Sequence, residues 1–162
     1  MTGNLNIFVS ACKGFDPKTS SAIGFYNHIN VKDNHMDLHV FTGINYVGCD
    51  EDHEFRLDYY LKCIKDFDDS GQQGKKIPLF AIAGSGNAKI KENDGHITYE
   101  NMFVQGREMT IPCSGEYEIQ VYQMDGDMKI EEDPNIRYKK YQEKGSIPSS
   151  ASVSYTHLTL PT

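Results

Sequence analysis

From residue 4 to residue 131 the chain meets a turn signal about every ten residues, and short apolar or alternating runs lie between these signals. Such punctuation restricts the fold to short strands joined by tight connections. Residues 5–11 form an apolar run that ends in Lys13-Gly14-Phe15-Asp16-Pro17. Residues 22–31 and 36–44 follow, parted by the polar Lys32-Asp33-Asn34. In the second of these, Met36, Leu38, Val40 and Thr42 alternate with Asp37, His39, Phe41 and Gly43. That is the pattern of a half-buried strand, imperfect at Phe41. Residues 77–83 are continuously apolar until Gly84-Ser85-Gly86 interrupts them. Residues 88–91 lead into Asn93-Asp94-Gly95, a hairpin turn, and residues 97–104 return. Residues 109–112 are a short run that stops at Pro112. Residues 116–123 alternate most cleanly, with Tyr117, Ile119 and Val121 opposed to Glu116, Glu118 and Gln120. Asp125-Gly126 then turns the chain into Met128-Lys129-Ile130.

Residues 53–65 fit two periods. As a strand, Phe55, Leu57, Tyr59, Leu61 and Cys63 share one face. As a helix, Leu57, Tyr60, Leu61, Ile64 and Phe67 fall at helical spacing behind the acidic Asp50-Glu51-Asp52. The strand is preferred, because its alternation is longer and rich in aromatic residues. About eight short strands then read as an antiparallel β-sandwich, in preference to a barrel. After Ile130 the character changes. Asp133 as N-cap, Pro134 at the first helical position and Gly145 beyond the last predict a short helix over residues 134–144. Residues 145–152 read as linker. The expected organisation is a sandwich domain over residues 1–131, a polar helix and linker segment over 132–152, and a separate tail over 153–162.

With 162 residues, of which 38% are hydrophobic, the chain is long enough for one domain with a core, the polar excess lying in turns and the C-terminal segment. No run approaches the roughly 18 apolar residues of a membrane span, so no membrane partner is expected. The net charge of −7 opposes the phosphate backbone, so nucleic acid is not expected either. The opening MTGNLNIFVSACKG lacks the parts of a secretory signal, which predicts a cytoplasmic protein. Cys12, Cys49, Cys63 and Cys113 are widely spaced with no C-x-x-C pair. In a reducing compartment they are expected to be buried thiols; two disulfides are the alternative for an exported chain.

Motifs that imitate chemistry fail on stated grounds. Gly84-Ser85-Gly86-Asn87-Ala88-Lys89 follows a strand but lacks the spacing, the Gly-Lys-Ser/Thr and the helix of a phosphate loop, and a bend or bulge is expected there. Asp66-Phe67-Asp68-Asp69-Ser70-Gly71 opens like a calcium loop, but Ile77 stands where the closing glutamate belongs, so an acidic turn is expected. His35, Asp37 and His39 share one strand face with about 6.6 Å between neighbours, so two of them reach one metal and three do not. His28, His53 and His96 lie in unrelated segments, and surface histidines are the plainer reading. No G-x-S-x-G elbow exists, and no cysteine has an activating context. Tyr60, Tyr99 and Tyr122 are candidates for an outward-facing carbohydrate platform, while Tyr59 and Tyr117 read as core. No catalytic, cofactor-binding or metal-ligating residue is assigned, and no cofactor is expected.

Two stretches carry a resemblance. Ser21-Ala22-Ile23-Gly24-Phe25-Tyr26, with its aliphatic-Gly-aromatic step, and Ser114-Gly115-Glu116-Tyr117-Glu118-Ile119-Gln120-Val121-Tyr122, followed by Asp125-Gly126, are similar to an early strand and the closing Gly-x-Tyr hairpin of a family of short bacterial β-sandwich domains of unknown function. That resemblance spans residues 4–131 and implies a fold but no activity. Residues 153–162, Val-Ser-Tyr-Thr-His-Leu-Thr-Leu-Pro-Thr, resemble a translated transposase adaptor of the kind used in preparing sequencing libraries. The resemblance implies a gene from an environmental assembly that is truncated at its C-terminus, with room for a further domain. A native terminal strand is the alternative, since Tyr155, His157 and Thr159 alternate with Thr156, Leu158 and Leu160. The expected function is a non-enzymatic binding or accessory module with a protein partner, bacterial or carried by a phage, since exposed sheet edges can pair with a partner strand. A small-ligand or carbohydrate-binding sandwich is one alternative, and an enzyme whose residues converge only in three dimensions is another.

Overall fold

The computed structural model describes residues 4–19, 21–47, 52–87 and 101–157. Among them the order is β1 (Asn4–Asp16), β2 (Ser21–Tyr26), β3 (His28–Val31), β4 (His35–Val47), β5 (Asp52–Asp66), β6 (Lys76–Asn87), β7 (Asn101–Thr110), β8 (Gly115–Gln123), α1 (Pro134–Lys144) and β9 (Ser149–His157). The strands form a four-stranded sheet, β2-β1-β4-β7, and a five-stranded sheet, β3-β9-β8-β5-β6. The ladders are antiparallel apart from the parallel β3–β9 pair. The mostly-β sandwich expected from the sequence is therefore the fold.

The contested segment is β5, a strand paired with β6 on one side and β8 on the other. Phe55, Leu57, Tyr59, Leu61 and Cys63 all point into the core, which a helix at the same residues would not achieve. Opposite them stand Val9, Ala11, Leu38, Val40 and Ile44 of the other sheet, in one continuous cluster. Each fully buried aliphatic side chain contributes roughly 1.5–3 kcal/mol, and this cluster is the main source of stability. Buried hydroxyls find partners across it: Thr42 Oγ1 lies 2.5 Å from the Tyr59 hydroxyl, and the Tyr26 and Tyr155 hydroxyls lie 3.3 Å apart. Tyr117 donates to the carbonyl of Cys113 at 2.7 Å, tying the start of β8 to the segment before it as a tyrosine corner does. Gly115 permits the close approach of β8 and β5 there, since a Cβ would stand 2.1 Å from the Lys65 carbonyl oxygen.

Several boundaries differ from the sequence reading. β1 continues through Lys13-Gly14-Phe15-Asp16, because β2 pairs with it as far as Asp16–Ser21. Residues 22–31 are two strands, divided at Asn27, where the chain leaves one sheet for the other. β6 runs uninterrupted through Gly84-Ser85-Gly86, and the irregularity of this pair lies instead at Leu79, between the partners of Tyr59 and Tyr60. Gly84 is there because Phe55 lies over it: an added Cβ would sit 2.6 Å from the ring. The turn Asn93-Asp94-Gly95 lies outside the described residues, and β6 and β7 belong to opposite sheets. Met128, Lys129 and Ile130 are not in a strand; they form turns that feed α1.

The helix has the caps that its sequence announces. Asp133 accepts from the Asn135 N–H at 2.8 Å, and Gly145 takes the left-handed conformation at φ 65° that closes the last turn. Residues 149–152, expected as linker, pair with β8 and begin β9. The strand runs on to His157 through residues that the sequence sets apart as a tail. Val153 and Tyr155 point into the core, while residues 158–162 lie outside the described chain.

Candidate functional site

The motifs that imitate chemistry are spent on local structure. Asp66 turns its carboxylate back onto its own loop: Oδ2 accepts from the Gln72 and Ser70 N–H groups at 2.9 and 2.8 Å and from the Ser70 hydroxyl at 2.8 Å, and Oδ1 accepts from Asp68 N–H at 3.0 Å. These donors, the Gln72 N–H foremost, hold its pKa well below the usual carboxylate range. Asp68 is likewise engaged, accepting from Ser114 N–H at 2.8 Å. His35 lies on the strand face expected of it, its Nδ1 3.2 Å from the Thr110 hydroxyl. Asp37 faces Glu108 in the ladder, and the His39 ring lies over Gly106. Exposed His28 borders a groove of about 450 Å³ beside Glu116 and Glu118. Among the described residues no three His, Cys, Asp or Glu side chains gather closely enough to hold a metal ion. His96, Cys49 and Tyr99 fall outside the described residues, as does the side chain of His53.

A buried polar cluster lies beneath α1, on the outer face of the five-stranded sheet. Tyr60 and Tyr122 do leave the sandwich core, as expected, but Tyr138, Tyr141 and Met128 cover them in a second apolar cluster. The outward row of tyrosines that a carbohydrate platform needs is thus absent at these two positions. Tyr122 and Tyr141 stack at 4.4 Å, and the Tyr60 and Tyr138 rings meet edge to face at 4.8 Å. Within this cluster the Asp58 carboxylate is buried. Its Oδ2 accepts from Arg137 Nε at 2.6 Å and from the Tyr60 and Tyr141 hydroxyls at 2.9 and 3.1 Å, while Oδ1 accepts from Arg137 Nη2 at 3.1 Å. Arg137 Nη1 donates to the carbonyls of Lys129, Ile130 and Glu132. The Tyr60 hydroxyl also lies 2.7 Å from the Pro134 carbonyl. Burial first, and the Asp58 charge second, push both tyrosines far above their ordinary pKa. A cavity of about 270 Å³ borders Asp58 and Arg137. These groups are bonded to one another, and through them the cluster fastens the helix to the sheet.

The outer face of the four-stranded sheet is different. Ladder register puts Phe8, Ser10 and Cys12 of β1, Ile23 and Phe25 of β2, His39 and Phe41 of β4, and Val104 of β7 on this side. The Phe41 ring lies 6.1 Å from Phe8 and 5.5 Å from Phe25, edge to face in both pairs. Phe8 is 51% exposed, Phe25 55% and Ile23 50%, so the rings shield one another without being buried. Asp37 and Glu108 stand side by side at the rim. The break at Phe41 in the strand alternation was the trace of this face in the sequence. The register that joins Phe8, Phe25 and Phe41 was not legible there. β2, which carries Ile23 and Phe25, is an edge strand of the sheet.

No family model matches this chain. No curated protein matches it either. Among solved structures the chain is similar to a hemolymph-type prophenoloxidase from a crustacean, with a TM-score of 0.50 and 9% sequence identity. That similarity covers 98% of this chain and 34% of the other, so the chain spans about a third of that protein's length. At that identity the likeness is one of fold.

Proposed function

We propose that this chain is a non-enzymatic binding module for a protein partner, engaged through the outer face of its four-stranded sheet. The observation that carries this reading is the cluster of Phe8, Phe25 and Phe41 at the edge strand β2, in which Phe8 and Phe25 are about half exposed. Contiguous apolar surface rimmed by polar residues is characteristic of protein interaction sites. The neighbouring Asp37 and Glu108 match a partner with basic residues around an apolar centre, and the chain's net charge of −7 favours the same pairing. Strand addition at β2 would set the partner's side chains directly beside Ile23 and Phe25. We place the module in the cytosol of a bacterium or phage host, where Cys12, Cys63 and Cys113, buried free thiols, would be held reduced. Among the described residues no helix is long and apolar enough to cross a membrane.

The test is a pull-down from bacterial lysate with the wild-type chain and with the Phe8→Ser/Phe25→Ser double variant. A protein held by the first and lost by the second, with both chains folded, is the expected result. Recovery of nothing, paired with turnover in an activity screen, overturns the reading. The likeness of residues 153–162 to adaptor sequence is likewise a proposal. Resequencing the locus from source DNA tests it, and an intact frame encoding the same residues would end it.

A further inference from the structure

We propose that Cys63 and Cys113 form a dithiol site that closes to a disulfide under a low-molecular-weight disulfide oxidant, joining the end of β5 to the segment leading into β8. The two sulfurs lie 4.0 Å apart, both side chains are buried, and both are free thiols. Each residue is held from its own side. Cys63 N–H donates to the Lys75 carbonyl and Gly74 N–H donates to the Cys63 carbonyl, both at 2.8 Å. Cys113 N–H donates to the Tyr117 hydroxyl at 3.3 Å, and that hydroxyl donates back to the Cys113 carbonyl at 2.7 Å. Tyr117 is also the ladder partner of Cys63, so one residue sets the position of both thiols. Groups held this way have already lost most of the freedom that bond formation would remove, which makes each thiol highly concentrated at the other.

The step is thiol–disulfide exchange with glutathione disulfide. One cysteine thiolate attacks a glutathione sulfur and expels the first glutathione thiolate. The other cysteine thiolate then attacks the protein-bound sulfur of this mixed disulfide and expels the second. Two thiol protons and two electrons leave the protein, and one glutathione disulfide becomes two glutathione molecules. Burial, with the neighbouring Cys113 thiol acting in the same direction, pushes the Cys63 thiol up to about 11. Thiolate is therefore scarce at neutral pH, so closure is slow there and faster at alkaline pH. Cys63 stands near the end of β5, three residues before the exposed loop that follows Asp66.

The chain allows a clean readout, because Lys13, Lys32, Arg56, Lys62, Lys65, Arg107 and Lys129 place its four cysteines in four different tryptic peptides. The folded protein is equilibrated with glutathione and glutathione disulfide, its remaining thiols are alkylated, and it is digested without reduction. The expected product joins residues 63–65 to residues 108–129, is released by dithiothreitol, and forms faster as pH rises. The linked protein should melt about 5 °C or more above the reduced one, since the bond closes a long loop of the unfolded chain. A link that involves Cys12 or Cys49, a lone glutathione adduct, no link, or a link that forms only in denaturant overturns the proposal. So does an oxidised form that melts below the reduced one.

Discussion

Each outer face of the sandwich carries a cluster of aromatic rings, and among the described residues only one of the two clusters is covered. On the five-stranded sheet the rings are tyrosines, Tyr60 and Tyr122, and α1 lies over them with Tyr138 and Tyr141. On the four-stranded sheet they are phenylalanines, Phe8, Phe25 and Phe41, and Phe8 and Phe25 remain about half exposed. A covered tyrosine needs a partner for its hydroxyl, and the covering element must bring one. The helix brings the Pro134 carbonyl to the Tyr60 hydroxyl and Gln142 Nε2 to that of Tyr122, while its Arg137 holds the Asp58 carboxylate of β5 that accepts from Tyr60 and Tyr141. Phenylalanine makes no such demand, and its face can wait for a partner that supplies only shape and apolar surface. The polar cluster therefore identifies the face closed within the chain.

The covered face is most vulnerable at Arg137. Arg137→Met leaves Asp58 buried without its cation and should cost about 3–5 kcal/mol in urea unfolding. A loss below about 1 kcal/mol would show that the ion pair does not fasten the helix. Adding Asp58→Leu to that variant should restore much of the loss, because an apolar pair leaves no charge stranded. Alkali probes the same face. Tyr60 and Tyr141 ionise far less readily in the fold than in the unfolded chain. Their contribution is thus complete below the unfolded value of about 10 and falls above it by about 1.4 kcal/mol per pH unit for each tyrosine. Taken as the difference from the Tyr60→Phe/Tyr141→Phe variant, their phenolate absorbance should appear together with unfolding, and its appearance in a still-folded protein would count against buried hydroxyls.

Tyr141→Phe should cost about 1.5–3 kcal/mol, the worth of one hydrogen bond to a charged carboxylate. On the uncovered face the expected effect on stability is smallest. Phe8→Ser/Phe25→Ser should change the unfolding free energy by no more than about 0.5 kcal/mol per site, while abolishing partner capture. A loss as large as that of Arg137→Met would mean that these rings belong to the fold and not to a binding face.

The strand of greatest ambiguity in the sequence, β5, was legible because Phe55, Leu57, Tyr59, Leu61 and Cys63 alternate without a break. The helix was legible for the same local reason, since Asp133, Pro134 and Gly145 are caps that act on their nearest neighbours. Tyr59 and Tyr117 were legible as core for their place in the alternation. Asp58 was readable only as one polar residue of a strand, with nothing to show that Arg137 would reach it from the far end of the chain. Pairing of this kind depends on which strands become neighbours.

Local pattern by itself determined that the chain forms strands, where most of them lie, which side chains point inward and where the helix starts and stops. These follow from alternation, turn chemistry and capping, which act over a few residues. Tertiary structure alone decided that β6 and β7 enter opposite sheets, that α1 covers Tyr60 and Tyr122, and that Phe8, Phe25 and Phe41 meet. It also brought Cys63 within 4.0 Å of Cys113. The physical reason is the same in each case. A strand's own residues fix its two faces, but what each face meets is fixed by the register and order of strands distant in sequence.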